Sequence, residues 1–488
     1  MINKDVIRKW LEFWNKKNRK YIHFDVPINL ENKINWQRPQ DFFEHFLSAE
    51  SVKRRAFWPF IHFVKKERKY KKNEKKVKDR HITKSREIYY ASHLDSFIFS
   101  YYSFVLWEQY WEILKQYKLS ENVLAYRKIN WKNSINFAKI VFEDIVYFQN
   151  CFVYAFDISS FFDKLDWVNL TNSVKKILWS SNFTDDWKHI LKNITQYTYI
   201  NKKDIEKNWL YDKVARKIST KSFHQLRKSF ANKKTDTNRV LYKNEKTWIA
   251  QGTPISWMLA NIYMLGFDLV IRDYVERLWG RYYRYSDDIL VIIPHKNELS
   301  SGCFRQDIKD EILKQIASEW IKLQIQSKKT EIFDFRDWKL CCSFHIKEWE
   351  ENFCSDKIPK PVQYLWFTFD GEKILIRNKT LAKNNFRMIE SLKKLSRLKK
   401  RVSRIKWMSR EIMLGEVTKR FTHSGSEKKD KKYWNFYWYV KSADTIMNPL
   451  QEKIWQKGRI KKQMRKNPKN FQKAVEKHIK KNSQVHEK

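Results

Sequence analysis

Two adjacent carboxylates, Asp287 and Asp288, sit in RYYRYSDDILVIIP (Arg281–Pro294) between an aromatic run and an apolar run. The pattern predicts a β-hairpin whose turn presents acid groups while both arms are buried. An Asp-Asp pair in a polar setting is a solvated turn. Between apolar flanks the two charges are held close in a poorly solvated place, and acids so held serve a cation. A further acid, Asp157, ends the hydrophobic run CFVYAFD (Cys151–Asp157), where a buried strand would offer a metal ligand. IAQGTPIS (Ile249–Ser256) is a turn rich in Gly and Pro, and its backbone can approach a ligand closely.

The elements around these residues follow from periodicity. Ile7, Trp10, Leu11 and Trp14 mark a small helical lead-in. Ser85–Leu106 reads as a strand that continues into a buried helix, and Ile135, Ala138, Val141 and Ile145 mark an amphipathic helix. Ser159 or Ser160 is expected to cap a helix carrying Phe161, Phe162 and Leu165. Ser256 is expected to cap one with Leu259, Ile262, Leu265 and Leu269 on one face. Residues 195–246 show no core pattern. VQYLWFTFDGEKILIR reads as a strand pair, and an apolar stripe from Ile389 to Ile412 reads as a basic helical domain. Past Trp455 the tail is nearly all basic and polar and is expected to lack fixed structure.

Lys and Arg number 99 against 55 acids, a formal charge of +44, which calls for a polyanionic partner, nucleic acid above all. Residues 53–84 concentrate that charge with aromatics between the basic clusters, a combination suited to phosphates and bases. Five cysteines have no paired spacing, which argues for a reducing compartment and against a disulfide framework. Cys341, Cys342, His345 and Cys354 fit no standard zinc spacing. Lys4, Asp5, Arg8 and Lys9 leave no ordinary secretory h-region at the start, so a secretory leader is not expected. The uncharged stretch Thr247–Phe267 carries Gln251, Gly252, Pro254 and Asn261, so a buried catalytic segment explains it better than a membrane span. A cytoplasmic protein without membrane contact is expected.

In this order the segments resemble a reverse transcriptase. FDISSFFD is similar to the first acidic motif of the palm, QGTPIS to the motif packed against the nascent base pair, and YSDD to the third motif. Lys329 in SKKTE resembles the fourth, and YLWF (Tyr364–Phe367) the hairpin that grips the primer. The upstream stretch REIYYASHLDSFIFSYY, with VLAYR and NSINFAKIVF, resembles the bacterial "unknown group" or defence-associated reverse transcriptases.

The resemblance implies an α/β (α+β) right-hand polymerase with fingers, an antiparallel-sheet palm and a helical thumb. Its divisions would be a helical lead-in at 1–52 and basic fingers at 53–150. A palm would follow at 151–370, with a fingers-like insertion near 195–246, and a basic helical thumb and tail at 371–488. It implies RNA-templated DNA synthesis through two Mg²⁺ ions, with Mn²⁺ as an alternative. Asp157 and Asp287 would be the direct ligands, Asp288 a weaker or alternating one and the Ile158 carbonyl a further one, because Mg²⁺ takes hard oxygen donors.

Phe162 would exclude a 2′-hydroxyl, Gln251 and Gly252 would lie along the incoming dNTP, and Arg86 would contact its triphosphate. Lys329 would give a proton to the leaving pyrophosphate. The partners implied are an RNA template, with a dedicated non-coding RNA as the candidate, together with dNTPs and the DNA product. Homo-oligomerisation is compatible with the sequence. An anti-phage role is expected. The alternatives are a retron-like or mobile-element enzyme and a catalytically idle RNA-binding protein of the same fold, against which the three intact acids argue.

The chain departs from the resemblance at glycines, always to tryptophan: Trp248, Trp257 and Trp366, with Trp131 and Trp279 similar. It holds 22 Trp and 8 Gly in 488 residues, where a usual glycine share is about 7%. The expectation is that UGA codons read as glycine in the source were translated as tryptophan. A Trp at 257 would crowd the template strand.

Overall fold

The computed structural model describes residues 4–14, 22–25, 45–70, 81–126, 132–207, 211–212, 217–218, 241–244, 249–295, 302–326, 329–336, 338–347, 350–402, 408–425, 435–456 and 459–480. Trp131, Trp248 and the side chains of Cys341, Cys342, His345 and Cys354 lie outside them.

In chain order the strands are β1 (Phe60–Tyr70), β2 (His81–Tyr90), β3 (Cys151–Asp157), β4 (Thr198–Asn201), β5 (Tyr211–Asp212), β6 (Lys217–Ile218), β7 (Leu241–Lys243), β8 (Arg281–Tyr285) and β9 (Asp288–Pro294). They continue with β10 (Glu331–Arg336), β11 (Lys339–Lys347), β12 (Glu350–Pro359), β13 (Val362–Tyr364), β14 (Phe367–Phe369) and β15 (Ile374–Ile376).

The central sheet has six strands in the order β12-β11-β10-β3-β9-β8, antiparallel throughout. Strands β3 and β9 read as unbroken apolar runs because both faces of the sheet are covered. Val153, Leu290 and Ile292 pack on one face with Ile135, Ala138, Val141 and Ile145 of the helix Ser134–Phe148. Tyr154, Phe156, Ile289, Val291 and Ile293 face the opposite core. That core contains the helices His93–Gln116, Ser256–Tyr263 and Leu265–Arg277. Each helical layer therefore buries one half of the alternation, and register slippage would move every side chain to the wrong core.

A second sheet, β2-β1-β4-β7, carries the basic hairpin of β1 and β2. Residues 195–246, which show no core pattern in sequence, supply its other two strands: β4 runs parallel to β1, and β7 pairs antiparallel to β4. Strands this short have too few residues to display a period. The expected strand pair near Val362–Arg377 is a three-stranded sheet, β13-β14-β15.

Three further expectations are corrected. Phe161–Asp163 forms only a single 3-10 turn, with Ser160 in left-handed backbone and no capping bond from its side chain. The helix begins at Trp167, capped by Asp166. Ser256 is inside its helix, and its hydroxyl donates to the Ala250 carbonyl at 2.6 Å instead of capping. The segment after it is two helices meeting at Met264, so Leu265 and Leu269 belong to the second. The tail is ordered well past Trp455: the helix Asn467–Val475 packs Phe471 and Ala474 against Met388, Leu392 and Phe421. Its apolar residues are sparse, but they sit on one face.

Candidate active site

The register of β3 on β9 pairs Asp157 with Asp288 across the sheet, and Asp287 lies in the two-residue turn between β8 and β9. The Ile158 N–H donates to the Asp287 carbonyl at 3.0 Å, which clips the end of β3 to that turn. Two strand ends and a turn thus bring three acids together. Two of them titrate high. Burial, then the charges of Asp287 and Asp157, push Asp288 up to about 7. Burial also raises Asp287, with the Asp157 charge adding to it.

Lys329 donates to Asp157 Oδ1 at 2.6 Å from its half-exposed ammonium, and the Arg377 charge also acts on Asp288, so two positive charges oppose three carboxylates. The donor set is all hard oxygen, undercompensated in charge and arranged along two strand ends. Those properties fit Mg²⁺.

The turn is supported from below by residues that sequence reading passed over. Arg284 is completely buried, and its guanidinium makes a two-pronged contact with Asp268 at 2.6 Å on each side. The same side chain donates to Asn261 Oδ1 at 3.1 Å and to the Ser286 carbonyl at 3.2 Å. Tyr282 adds a 2.6 Å bond to Asp268, and the Tyr126 and Ser286 hydroxyls meet at 3.1 Å. Ser286 is held at φ 62, a left-handed conformation that a non-glycine residue keeps only when its surroundings enforce it. The signal available in sequence was an Arg on the inward period of RYYRY and an Asp inside the otherwise apolar turn GFDLV.

Beside the acids opens a cleft of about 780 Å³, lined among others by Tyr126, Phe162, Gln251, Gly252, Trp257 and Tyr285. The three acids are not among its lining residues. It reaches them through Tyr285, the register partner of Asp288. Gln251 is clamped from both sides: its amide donates to Asp163 Oδ1 at 2.9 Å, and its carbonyl accepts from the Tyr89 N–H of β2 at 2.7 Å. Burial raises the Asp163 carboxyl, and the bond from Gln251 opposes that. Gly252 has φ +123, and a Cβ there would come within 2.6 Å of the Tyr89 carbonyl, so only glycine lets β2 lie against this loop. Arg86 is exposed on β2, three residues before Tyr89, next to Glu67.

A separate donor cluster, His23, Asp25 and His93, lies at the start of the helix His93–Gln116. Both oxygens of Asp25 accept backbone N–H groups, from His93 at 2.7 Å and Leu94 at 2.8 Å. The carboxylate thereby caps that helix end, which accounts for its burial.

Of the tryptophans expected to replace glycine, Trp279 has φ 60, whereas Trp257 and Trp366 are not among the described residues of positive φ. Trp257 lines the cleft and lies 5.6 Å from the Tyr126 ring.

Residues 173–369 match the reverse transcriptase (RNA-dependent DNA polymerase) family. The chain carries a reverse transcriptase domain. A domain of this kind is an RNA-directed DNA polymerase, a nucleotidyltransferase, and the six-stranded sheet with its flanking helices is the α/β polymerase fold. The match begins beyond Asp157, so that acid joins the site through the β3–β9 register. No curated protein matches the chain.

Among solved structures, apo telomerase from Candida tropicalis, truncated of its C-terminal domain, aligns at 11% identity and TM-score 0.37. The alignment covers 70% of this chain and 61% of that one. Telomerase from Candida albicans with a fragment of telomeric RNA aligns at 11% and TM-score 0.35, over 99% of this chain and 70% of that one. Among the described residues no helix is long and apolar enough to cross a membrane.

Proposed function

We propose that the protein synthesises DNA on an RNA template, adding dNTPs to a primer at Asp157, Asp287 and Asp288. The observation that carries this reading is the register placing Asp157 opposite Asp288, with Asp287 at the adjoining turn. Mg²⁺ bound there, through the three carboxylates and the Ile158 carbonyl, would supply Lewis acidity toward the primer hydroxyl and the triphosphate.

The chain's own residues do the rest. Burial holds Asp287 and Asp288 above the usual carboxylate range, and both must be ionised to hold cations, so Mg²⁺ binding strengthens as pH rises toward and through about 7, where Asp288 ionises. Lys329 balances Asp157 until nucleotide enters and is then free to give its proton to the leaving pyrophosphate. Gln251 and Gly252 form one wall of the nucleotide site, held at a fixed height by Asp163 and Tyr89. Phe162 in the same cleft disfavours a 2′-hydroxyl. Arg86, exposed on β2, contacts the triphosphate.

The division proposed is a lead-in at 1–52, fingers at 53–150, palm at 151–370 with strands β4 and β7 of its insertion joining the fingers sheet, and thumb at 371–488. The basic surface, +44 overall, takes the RNA template and DNA product. The anti-phage setting with a dedicated non-coding RNA, in the cytoplasm, rests on the upstream sequence resemblance, and a retron-like role is the second reading.

The test is dNTP incorporation by purified protein on the RNA that co-purifies with it, against Asp287→Ala/Asp288→Ala as control. Incorporation that depends on the acids and on Mg²⁺ is expected. Equal incorporation by the double variant would remove the proposed site.

A further inference from the structure

Left-handed backbone favours glycine, because any Cβ crowds the neighbouring carbonyl. Eleven described non-glycine residues have positive φ, and four are tryptophan: Trp179 (φ 50), Trp279 (φ 60), Trp338 (φ 59) and Trp455 (φ 54). In the whole chain tryptophan is 22 of 488 residues. The largest side chain is thus concentrated where the smallest is favoured, although Lys118 closes the helix His93–Gln116 in the same way.

Three of the four occupy the same place in the same motif. Trp179 follows the helix Trp167–Ile177 and its C-cap Leu178, Trp279 follows Leu265–Arg277 and its C-cap Leu278, and Trp455 follows Phe436–Lys453 and its C-cap Ile454. At each, two backbone bonds close the helix end. Trp179 N–H donates to Lys176 and Ser180 N–H to Lys175; Trp279 to Glu276 and Gly280 to Val275; Trp455 to Glu452 and Gln456 to Gln451. These are Schellman closures, and the residue at their centre is ordinarily glycine. Trp338 sits in the tight link between β10 and β11, beside the paired Arg336 and Lys339, where a left-handed residue is preferably glycine.

The side chains gain little burial for this strain. Trp179 is 71% exposed, Trp279 68% and Trp455 88%, although tryptophan is among the most buried residue types on average. Trp10 is the opposite case: fully buried, edge-on to Phe97 and Tyr101, with its indole N–H on the Ser100 hydroxyl.

We infer that residues 179, 279, 338 and 455 are glycine in the native protein, encoded by UGA and translated here as tryptophan, whereas Trp10 is a true tryptophan. UGA differs by one base from both the glycine codon GGA and the tryptophan codon UGG, so one reassigned codon accounts for all four. The two classes of site separate this from the opposite reassignment. If UGA meant tryptophan in the source, exposed left-handed positions and buried aromatic positions would use it alike.

The experiment has two arms. Codons 179, 279, 338 and 455 in the gene are expected to be UGA, and codon 10 UGG; UGG at any of the four, or UGA at codon 10, overturns the inference. In the recombinant full-length chain, Trp179→Gly, Trp279→Gly, Trp338→Gly and Trp455→Gly combined are expected to raise the melting temperature by about 2 °C or more. Trp10→Gly, the control, lowers it. A quadruple variant that melts at or below the parent temperature sinks the proposal independently of the codons and of any polymerase assay.

Discussion

Strand β8 has left-handed backbone at both approaches: Trp279 just before it and Ser286 just after it. At Ser286 the conformation is enforced by its neighbours. Arg284 holds the carbonyl, Tyr126 meets the hydroxyl, and the residue is buried. At Trp279 a large ring is 68% exposed, and the turn is closed by backbone bonds that glycine would make equally well. Strain at the first place sets the direction of Asp287; at the second it closes a helix end. Backbone strain is informative about function only when side chains converge on it.

The largest effect should come from the acids that the strained turn presents. Asp287→Asn is expected to lower dNTP incorporation by on the order of 10³-fold or more, since several kcal/mol of charge stabilisation are lost at 1.36 kcal/mol per tenfold. Its melting temperature in the absence of metal should hold or rise, because one of three crowded charges is gone. A variant that loses activity by unfolding would break the comparison.

Next is the support beneath the turn. Arg284→Met leaves Asp268 buried and uncompensated, and loss of one partner of a buried pair costs about 3–5 kcal/mol. Urea unfolding of this variant should show that loss. Arg284→Met combined with Asp268→Leu should recover part of the stability but not the activity, since the Ser286 carbonyl has still lost its donor. Full recovery of activity would mean that the turn holds itself.

The third effect is one of pH. The folded-state pKa of Asp288 lies near 7, above its ordinary value of 3.8, so the folded chain binds this proton more tightly than the unfolded chain. Stability from this group therefore falls as pH rises from about 4 to about 7 and is level above that. Asp288→Asn should flatten this part of the profile, so the variant gains on the parent as pH rises. Mg²⁺ should raise the parent's melting temperature most at pH 8 and the variant's little. Parallel pH profiles would place the buried charge elsewhere.

Much of this site was legible before the fold was known, because its parts are local. Asp157 ends an apolar run, Asp287 and Asp288 lie between two others, and Gly252 sits in a turn that admits no Cβ. The rest depended on long-range contacts. Asp268 and Arg284 each look like an interruption of an apolar segment, and only the packing of helix Leu265–Arg277 under β8 turns them into one bonded pair. Strands β4 and β7 are too short to show a period and exist because β1 offers β4 an edge and β4 offers one to β7. The helix ends at Trp179 and Trp455 were hidden for another reason: glycine is the residue that signals a C-terminus, and it is missing from the text.

The smallest effect sharpens the role of Lys329. Lys329 lies 2.6 Å from Asp157 but is half exposed, and an exposed pair contributes about 0–1 kcal/mol. Its bond to the acid must be given up wherever a cation takes that oxygen, so the two compete. Lys329→Gln should therefore bind Mg²⁺ more tightly, by up to roughly fivefold, as read from melting temperature against Mg²⁺ concentration. Incorporation at saturating Mg²⁺ should fall by about 10²-fold if the ammonium also delivers a proton to pyrophosphate. The two readouts move in opposite directions, which a lysine serving only as a surface cation would not do. Tighter metal binding with undiminished turnover would leave Lys329 as a counterion alone and assign the proton to water.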